Sequence, residues 1–315
     1  MVTTLVTGGA GFIGSHVAEA LLARESRVVC LDNFDPFYDR AVKERNLRAA
    51  RAHEHYRFVE GDIRDATLIR RVLDEEQVSH IVHLAAKAGV RPSLLDPLGY
   101  LSANVEGTLV LLEAARRPGI RKFVFGSSSS VYGAASEVPF REDQDISRPI
   151  SPYAASKVAG EAYCHTFHHL YSIPTVLLRF FTVYGPRQRP DLAINKFVRL
   201  LSAGEPVTMY GDGTSSRDYT FIGDIVAGVL AALDTELDFD IINLGSSSPI
   251  QLVDLIHAVG RALDASVRIN QEPLQPGDVP RTYACVDKAR RLLGWEPTTT
   301  LEEGLARYVS WVREQ

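Results

Sequence analysis

The chain has 315 residues, 45% apolar and 23% charged, which suits one large α/β unit with an appended lobe around a real hydrophobic core. A formal charge of −5 without a Lys/Arg cluster argues against a nucleic-acid partner, and no apolar run is long enough to span a bilayer. Cys30, Cys164 and Cys285 lie far apart with no paired spacing, so reduced, mostly buried thiols in a cytoplasmic protein are expected, with neither a disulfide framework nor a metal site. No basic segment precedes an apolar stretch at the start, so no signal peptide is expected.

Residues 2–7 form a β-rich run that meets Gly8-Gly9-Ala10-Gly11-Phe12-Ile13-Gly14, and residues 15–23 continue with helical periodicity. Residues 27–31 are a second strand, ending at Asp32. Short apolar runs at 56–60, 80–84, 122–126 and 175–180 predict further strands, separated by helices over 66–75, 104–115 and 153–171. Strands alternating with helices indicate a parallel sheet covered on both faces. Beyond Phe181, residues 182–217 are rich in Gly, Pro and Arg and predict loops around one helix, 193–203. Residues 218–233 and 241–244 read as a return to the sheet, and 252–263 and 301–313 as amphipathic helices of a C-terminal lobe. The expected division is therefore interleaved: 1–181 plus 218–245, and 182–217 plus 246–315.

The first glycine turn fits G-x-G-x-x-G through Gly9, Gly11 and Gly14, and also a variant through Gly8, Gly11 and Gly14. Such glycines let the backbone approach a pyrophosphate resting on the next helix's N-terminus. The turn follows a strand, opens a helix and is followed by an acidic residue ending the second strand, the context that dinucleotide binding requires. Asp32 is placed to bond ribose hydroxyls and repel a 2′-phosphate, favouring NAD over NADP. Asp62-Ile63, after the third strand, are placed to meet the adenine, although an Asp there is also ordinary turn chemistry.

Tyr153 and Lys157, four apart after Ser151-Pro152, share one helix face behind an N-cap and an N1 proline. An ammonium beside a phenol favours phenolate, and a pull of about 4 kcal/mol would bring its pKa from about 10 to near neutral, making a general base. The pair also fits an amphipathic helix with an exposed Lys and a half-buried Tyr. His165, His168 and His169 have spacing that could hold a metal, but without an acidic partner they predict a helix-surface or dimer-interface role.

Taken together, Thr7–Gly14, His83-Leu84-Ala85-Ala86, Ser127–Gly133, Tyr153–Lys157, Arg179–Gly185, Asp212–Asp224 and Gly277-Asp278 resemble the extended short-chain dehydrogenase/reductase superfamily, and within it the NAD-dependent nucleotide-sugar epimerases and dehydratases. The resemblance implies an α/β fold with a Rossmann-type doubly wound parallel sheet and a smaller, interleaved C-terminal α/β lobe that binds nucleotide sugar. It implies NAD held by Gly8, Gly11, Phe12, Ile13, Gly14, Asp32, Asn33, Asp62, Ile63, Leu84, Ala85, Ala86, Asn104, Tyr153 and Lys157. Tyr153 is then the acid and base, Lys157 its modulator and ribose contact, and Ser128 the assisting hydroxyl, with Ser129 and the other serines of 127–130 as alternatives. A homodimer through a four-helix bundle from 95–115 and 153–171 is also implied.

The same resemblance separates reaction types. Sugar 4,6-dehydratases carry Asp-Glu where this chain has Ser129-Ser130, and UDP-glucuronate decarboxylases carry Glu at the second position. With only hydroxyls there, oxidation and re-reduction at C4 remain, which is epimerisation. Three segments resemble the UDP-glucuronate 4-epimerase branch: Asp32–Asp39, Ala88–Ser93 and Arg179–Asp191. Lys87 departs from it, since that branch usually has Gln there. A sugar carboxylate needs planar cationic donors, so Arg189 with Thr182 is the leading clamp and Arg91 a second candidate. Arg187 and Arg189 could instead be solvated loop charges or diphosphate contacts. Ser129 and Ser130 are expected against the sugar, and Asn195, Arg217 and Asp278 near the nucleotide, with an Arg217–Asp218 ion pair as the alternative for Arg217.

The expected reaction is interconversion of UDP-glucuronate and UDP-galacturonate without net redox change. The alternatives are a UDP-glucose or UDP-N-acetylglucosamine 4-epimerase, a net nucleotide-sugar oxidoreductase that absorbance at 340 nm would reveal, and a non-catalytic NAD-sensing protein. The last would be expected to lack Tyr153 or Lys157.

Overall fold

The computed structural model describes residues 2–134, 137–273 and 279–315. Thirteen strands are found among them: β1 Thr3–Thr7, β2 Arg27–Asp32, β3 Tyr56–Glu60, β4 His80–His83, β5 Lys122–Ser128, β6 Thr175–Phe180, β7 Thr182–Tyr184, β8 Val207–Tyr210, β9 Ser216–Phe221, β10 Phe239–Leu244, β11 Pro249–Gln251, β12 Ile269–Glu272 and β13 Arg281–Thr282. Seven form one sheet in the order β10-β6-β5-β4-β1-β2-β3, parallel throughout. This is the doubly wound α/β architecture expected.

Alternation along the strands divides the core into two layers. Val6, Val28, Cys30 and Val82 face one side, where the helix Phe12–Leu22 packs beside Ile222–Asp234. Leu5, Val29, Leu31 and Ile81 face the other, against Ile69, Leu73, Leu111 and Phe167 from the opposite helices. All three cysteines are buried and unpaired. No helix among the described residues is long and apolar enough to cross a membrane.

The smaller sheets follow. β9 pairs with β7 and β13 in parallel and with β11 antiparallel, while β8 pairs with β12. Residues 216–221 thus lie in the second sheet, and the chain regains the large sheet through the helix Ile222–Asp234 and β10.

Two elements differ from the sequence reading. The helix Arg40–Arg51 is so polar that no apolar stripe announces it; Asp39 caps it by accepting from the Ala41 amide, and Leu47 and Ala50 seat it. The helix expected over 104–115 begins instead as a π-helical turn, Leu101–Glu106, before Gly107–Ala115. There Asn104 turns its carboxamide inward to Lys87 and Ser156, and the Thr108 hydroxyl takes its carbonyl, interrupting the regular ladder.

Candidate active site

Strand order reverses between β1 and β4, and a cleft of about 650 Å³ opens beyond their carboxyl ends. This is the switch point where open α/β sheets bind ligands. The glycine turn forms its floor. Gly8 has φ +69°, and a Cβ there would lie 2.8 Å from the Ala85 amide nitrogen. A Cβ on Gly14 would lie 2.2 Å from the Gly8 carbonyl oxygen. Both positions therefore demand glycine for close packing. The helix Phe12–Leu22 starts behind Gly11 with no side-chain cap, leaving its first amides for an anion.

At the end of β2, the Asp32 carboxylate accepts from the Ala10 amide at 3.1 Å and the Phe34 amide at 2.8 Å, with the Lys43 ammonium 3.8 Å away. Burial pushes its pKa up, and Lys43 with the two amides opposes this. Beside it, beyond the neighbouring strand β3, Asp62 takes a fork from Arg64 at 2.8 and 2.6 Å and a bond from Asn33 at 2.9 Å. The Arg64 guanidinium holds that carboxyl well below the usual range. Ile63, Leu84, Ala85 and Ala86 complete this end of the wall with Phe12 and Ile13. Asn104 stands behind the wall: it brackets Lys87 by accepting from its amide at 2.7 Å and donating to its carbonyl at 2.9 Å.

The residues expected from sequence to handle the proton come from β5 and the helix Pro152–Tyr171. Ser151 caps that helix by accepting from the Ala154 amide at 3.1 Å, which presents half-buried Tyr153 and buried Lys157 to the cleft. Beneath them the buried Arg179 guanidinium grips Glu161 at 2.9 and 2.8 Å, and the Ser127 hydroxyl donates to the same carboxylate at 2.5 Å. Residues 127–130 all line the cleft, but the Ser127 hydroxyl is committed to Glu161, while Ser128 meets the Tyr153 phenol.

Burial raises the Tyr153 pKa, and a hydrogen bond from Ser128 and the charge of Arg189 oppose this. The Lys157 ammonium is turned to the sheet, donating to the Gly126 carbonyl at 2.6 Å, and desolvation lowers its own pKa to about 8.

Thr182 and Arg189 share the wall with Tyr153. Arg189 donates from Nε and Nη2 to Asp191 at 2.9 and 2.7 Å, and its guanidinium stands 5.3 Å from the Phe37 ring centroid. Arg187 instead pairs with Glu19 at 2.8 Å, on the outer helix Phe12–Leu22. Three residues expected near the sugar nucleotide lie off the described wall: Arg91 stands over the Tyr210 ring, Asn195 bonds Gln188, and Arg217 donates to the Ser216 carbonyl. Asp218 is filled by Ser246, Ser247 and Ala284 donors. Asp278 lies outside the described residues. His165 and His169 stack on the surface of their helix beside Phe239, and His168 bonds the Ile173 carbonyl.

Phe37, Tyr38, Lys43, Arg64 and Leu192 also line the cleft and carried no assigned role from sequence. Phe37 and Tyr38 fall within the segment Asp32–Asp39 singled out there, so its aromatic pair was the available signal. Lys87 lines the cleft too, and its ammonium pairs with Asp96 at 2.7 Å.

A family model described as GDP-mannose 4,6 dehydratase matches residues 5–308. The chain is 40% identical over 311 residues to UDP-glucuronate 4-epimerase of Thermodesulfobacterium geofontis, spanning 98% of this chain and 96% of that protein. The chain belongs to the NAD-dependent epimerase/dehydratase family. Within this extended short-chain dehydrogenase/reductase family, the fold superposes on UDP-glucuronic acid 4-epimerase of Bacillus cereus, solved with UDP-glucuronic acid and NAD, with TM-score 0.94, 36% identity and 99% of each chain covered. It also superposes on UDP-glucose 4-epimerase of Thermotoga maritima, solved with UDP-glucose, with TM-score 0.92, 33% identity and 99% of each chain covered. The epimerase/dehydratase family's cofactor fits the residues present. The tight Gly8–Gly14 cradle leaves room and free amides for a pyrophosphate, and Asp32 offers a carboxylate to a ribose diol.

Proposed function

We propose that this protein is a UDP-glucuronate 4-epimerase, interconverting UDP-glucuronate and UDP-galacturonate. The observation that carries the reading is Arg189: a guanidinium with only 17% of its side chain exposed, on one cleft wall with Thr182 and the Tyr153 phenol. A half-buried cation beside the proton-handling group suits a sugar that carries its own carboxylate. Residues 182–217 and 246–315 would hold the nucleotide sugar against the dinucleotide-binding remainder.

NAD⁺, when bound, supplies a reversible hydride acceptor for C4 of the sugar. Tyr153 takes the 4-hydroxyl proton and later returns one to the 4-keto oxygen after the sugar has turned. Ser128, in contact with the phenol, steadies that oxygen, and Ser129 and Ser130 bond the sugar's hydroxyls. Thr182 and Arg189 hold the carboxylate away from the geometry in which a β-keto acid loses CO₂. Lys157 would hold the nicotinamide ribose. Gly8, Gly11 and Gly14 receive the pyrophosphate, and Asp32 and Asn33 the adenosine ribose.

A homodimer belongs to the same reading. Leu95 and Leu98 are 89% and 76% exposed, and Leu94, Leu101, Leu170 and Tyr171 are exposed too, on the helices Val90–Leu95, Pro97–Tyr100 and Pro152–Tyr171 and the π-helical turn Leu101–Glu106. The buried, unpaired thiols support a reducing, cytoplasmic setting.

The second reading is a neutral UDP-sugar 4-epimerase, favoured by the Asp191 carboxylate that already engages Arg189. Incubating purified protein with UDP-glucuronate, UDP-glucose and UDP-N-acetylglucosamine and separating the products distinguishes them. Conversion of UDP-glucuronate to its C4 epimer without net NADH supports the first; conversion of a neutral sugar alone supports the second.

A further inference from the structure

Arg189 is mounted from two sides that the reaction itself does not require. Its Nε–H and one Nη2–H are engaged by the two oxygens of Asp191, at 2.9 and 2.7 Å. A guanidinium has five N–H donors, so this fork leaves the Nη1/Nη2 edge as the one that can take a second carboxylate in parallel. The face of the guanidinium meets the Phe37 ring at 5.3 Å. Phe37 is 39% exposed, so burial does not explain its placement. It sits there because its strap is braced: Asn33 Oδ1 accepts from the Asp35 amide at 2.9 Å, Asp35 Oδ1 from the Phe37 amide at 3.0 Å, and Lys43 bonds the Asp35 carbonyl at 2.9 Å.

We propose that Asp191 and Phe37 are positioning residues that aim the free edge of Arg189 at the sugar carboxylate, and that this mounting keeps the 4-keto intermediate from decarboxylating. The inference rests on the acid-sugar reading above. With the carboxylate fixed, the C5–CO₂⁻ bond stays out of alignment with the C4 ketone. When the mount loosens, that bond aligns and breaks, its electron pair enters the C4 enolate, a proton adds at C5, and CO₂ leaves. The hydride taken from C4 then stays behind as NADH, matched to one CO₂ and one 4-keto pentose nucleotide.

The experiment uses the NAD-loaded enzyme with UDP-glucuronate, comparing wild type with Asp191→Ala, Asp191→Asn and Phe37→Leu. Epimer, CO₂ and absorbance at 340 nm are measured together. The ratio of CO₂ to epimer should rise about tenfold in the Asp191 variants, and less in Phe37→Leu. Should Asp191→Ala fail to fold, the isosteric Asp191→Asn decides. Variants whose epimerisation and CO₂ release fall together, or whose ratio stays at the wild-type value, overturn the inference alone. A wild type that epimerises only neutral sugars overturns the proposed function and this inference with it.

Discussion

The Nζ of Lys157 lies 2.6 Å from the carbonyl oxygen of Gly126, so one of the three ammonium donors is tied to the end of β5. Its pKa of about 8 is depressed by burial. Between pH 8 and about 10.4 the unfolded chain holds this proton and the folded chain does not, so the unfolding free energy rises with pH across that window. Over the whole window this amounts to about 3 kcal/mol. Urea unfolding of wild type and Lys157→Met at pH 8 and 10 should show the wild type gaining stability relative to the variant; a constant difference counts against a desolvated ammonium.

At the other end of the pH scale, His83 is buried between Thr7 at 2.7 Å and Thr108 at 2.9 Å, and burial lowers its pKa to about 3. Below about pH 6.5 the unfolded chain takes up a proton that the folded chain refuses, so stability is lost as the pH drops, by about 3 kcal/mol at pH 4. His83→Gln should flatten that acid limb in a pH series of thermal melts.

Removing the Tyr153 hydroxyl should stop proton transfer without emptying the cofactor site. Tyr153→Phe is expected to lose about 10³-fold in epimerisation while NAD remains bound, read by product separation and by nucleotide release on denaturation. An active Tyr153→Phe enzyme would falsify the assignment.

Arg189→Ala should raise KM for UDP-glucuronate by about 10- to 100-fold, the scale of a lost hydrogen bond to a charged group. Turnover of UDP-glucose should change little. Equal losses on both sugars would place Arg189 against the diphosphate instead.

Glu161 and Arg179 form a pair with 4% and 1% of their side chains exposed. Glu161→Ala strands a buried guanidinium and should cost about 3–5 kcal/mol, whereas an apolar pair at both positions should recover much of it. Thermal melting of the single and double variants tests this.

Much of the fold was legible because the strands are apolar runs of ordinary length: β3 and β6 and the helices Ala66–Glu75, Leu252–Leu263 and Leu301–Arg313 fall where periodicity places them. The glycine turn and Asp32 were legible for a different reason, since sterics leave few alternatives there. Phe37 and Asp191 were not, because their contacts to Arg189 bring together loops about 150 residues apart or use a local turn without periodicity. The destination of the Lys157 ammonium also escaped helix spacing. Position i+4 predicts a shared face, yet a long side chain chooses among partners that only the tertiary packing supplies.

Asn104 ties the backbone of Lys87 to the hydroxyl of Ser156, at 2.7, 2.9 and 2.9 Å. The loop beyond β4 and the helix bearing Tyr153 are thereby one mechanical body, whereas Arg189 hangs from a separate loop after β7. On the proposed assignment, the loop that carries Arg189 can change without disturbing the hydrogen bonds that hold the helix of Tyr153, so sugar choice and proton transfer are anchored separately.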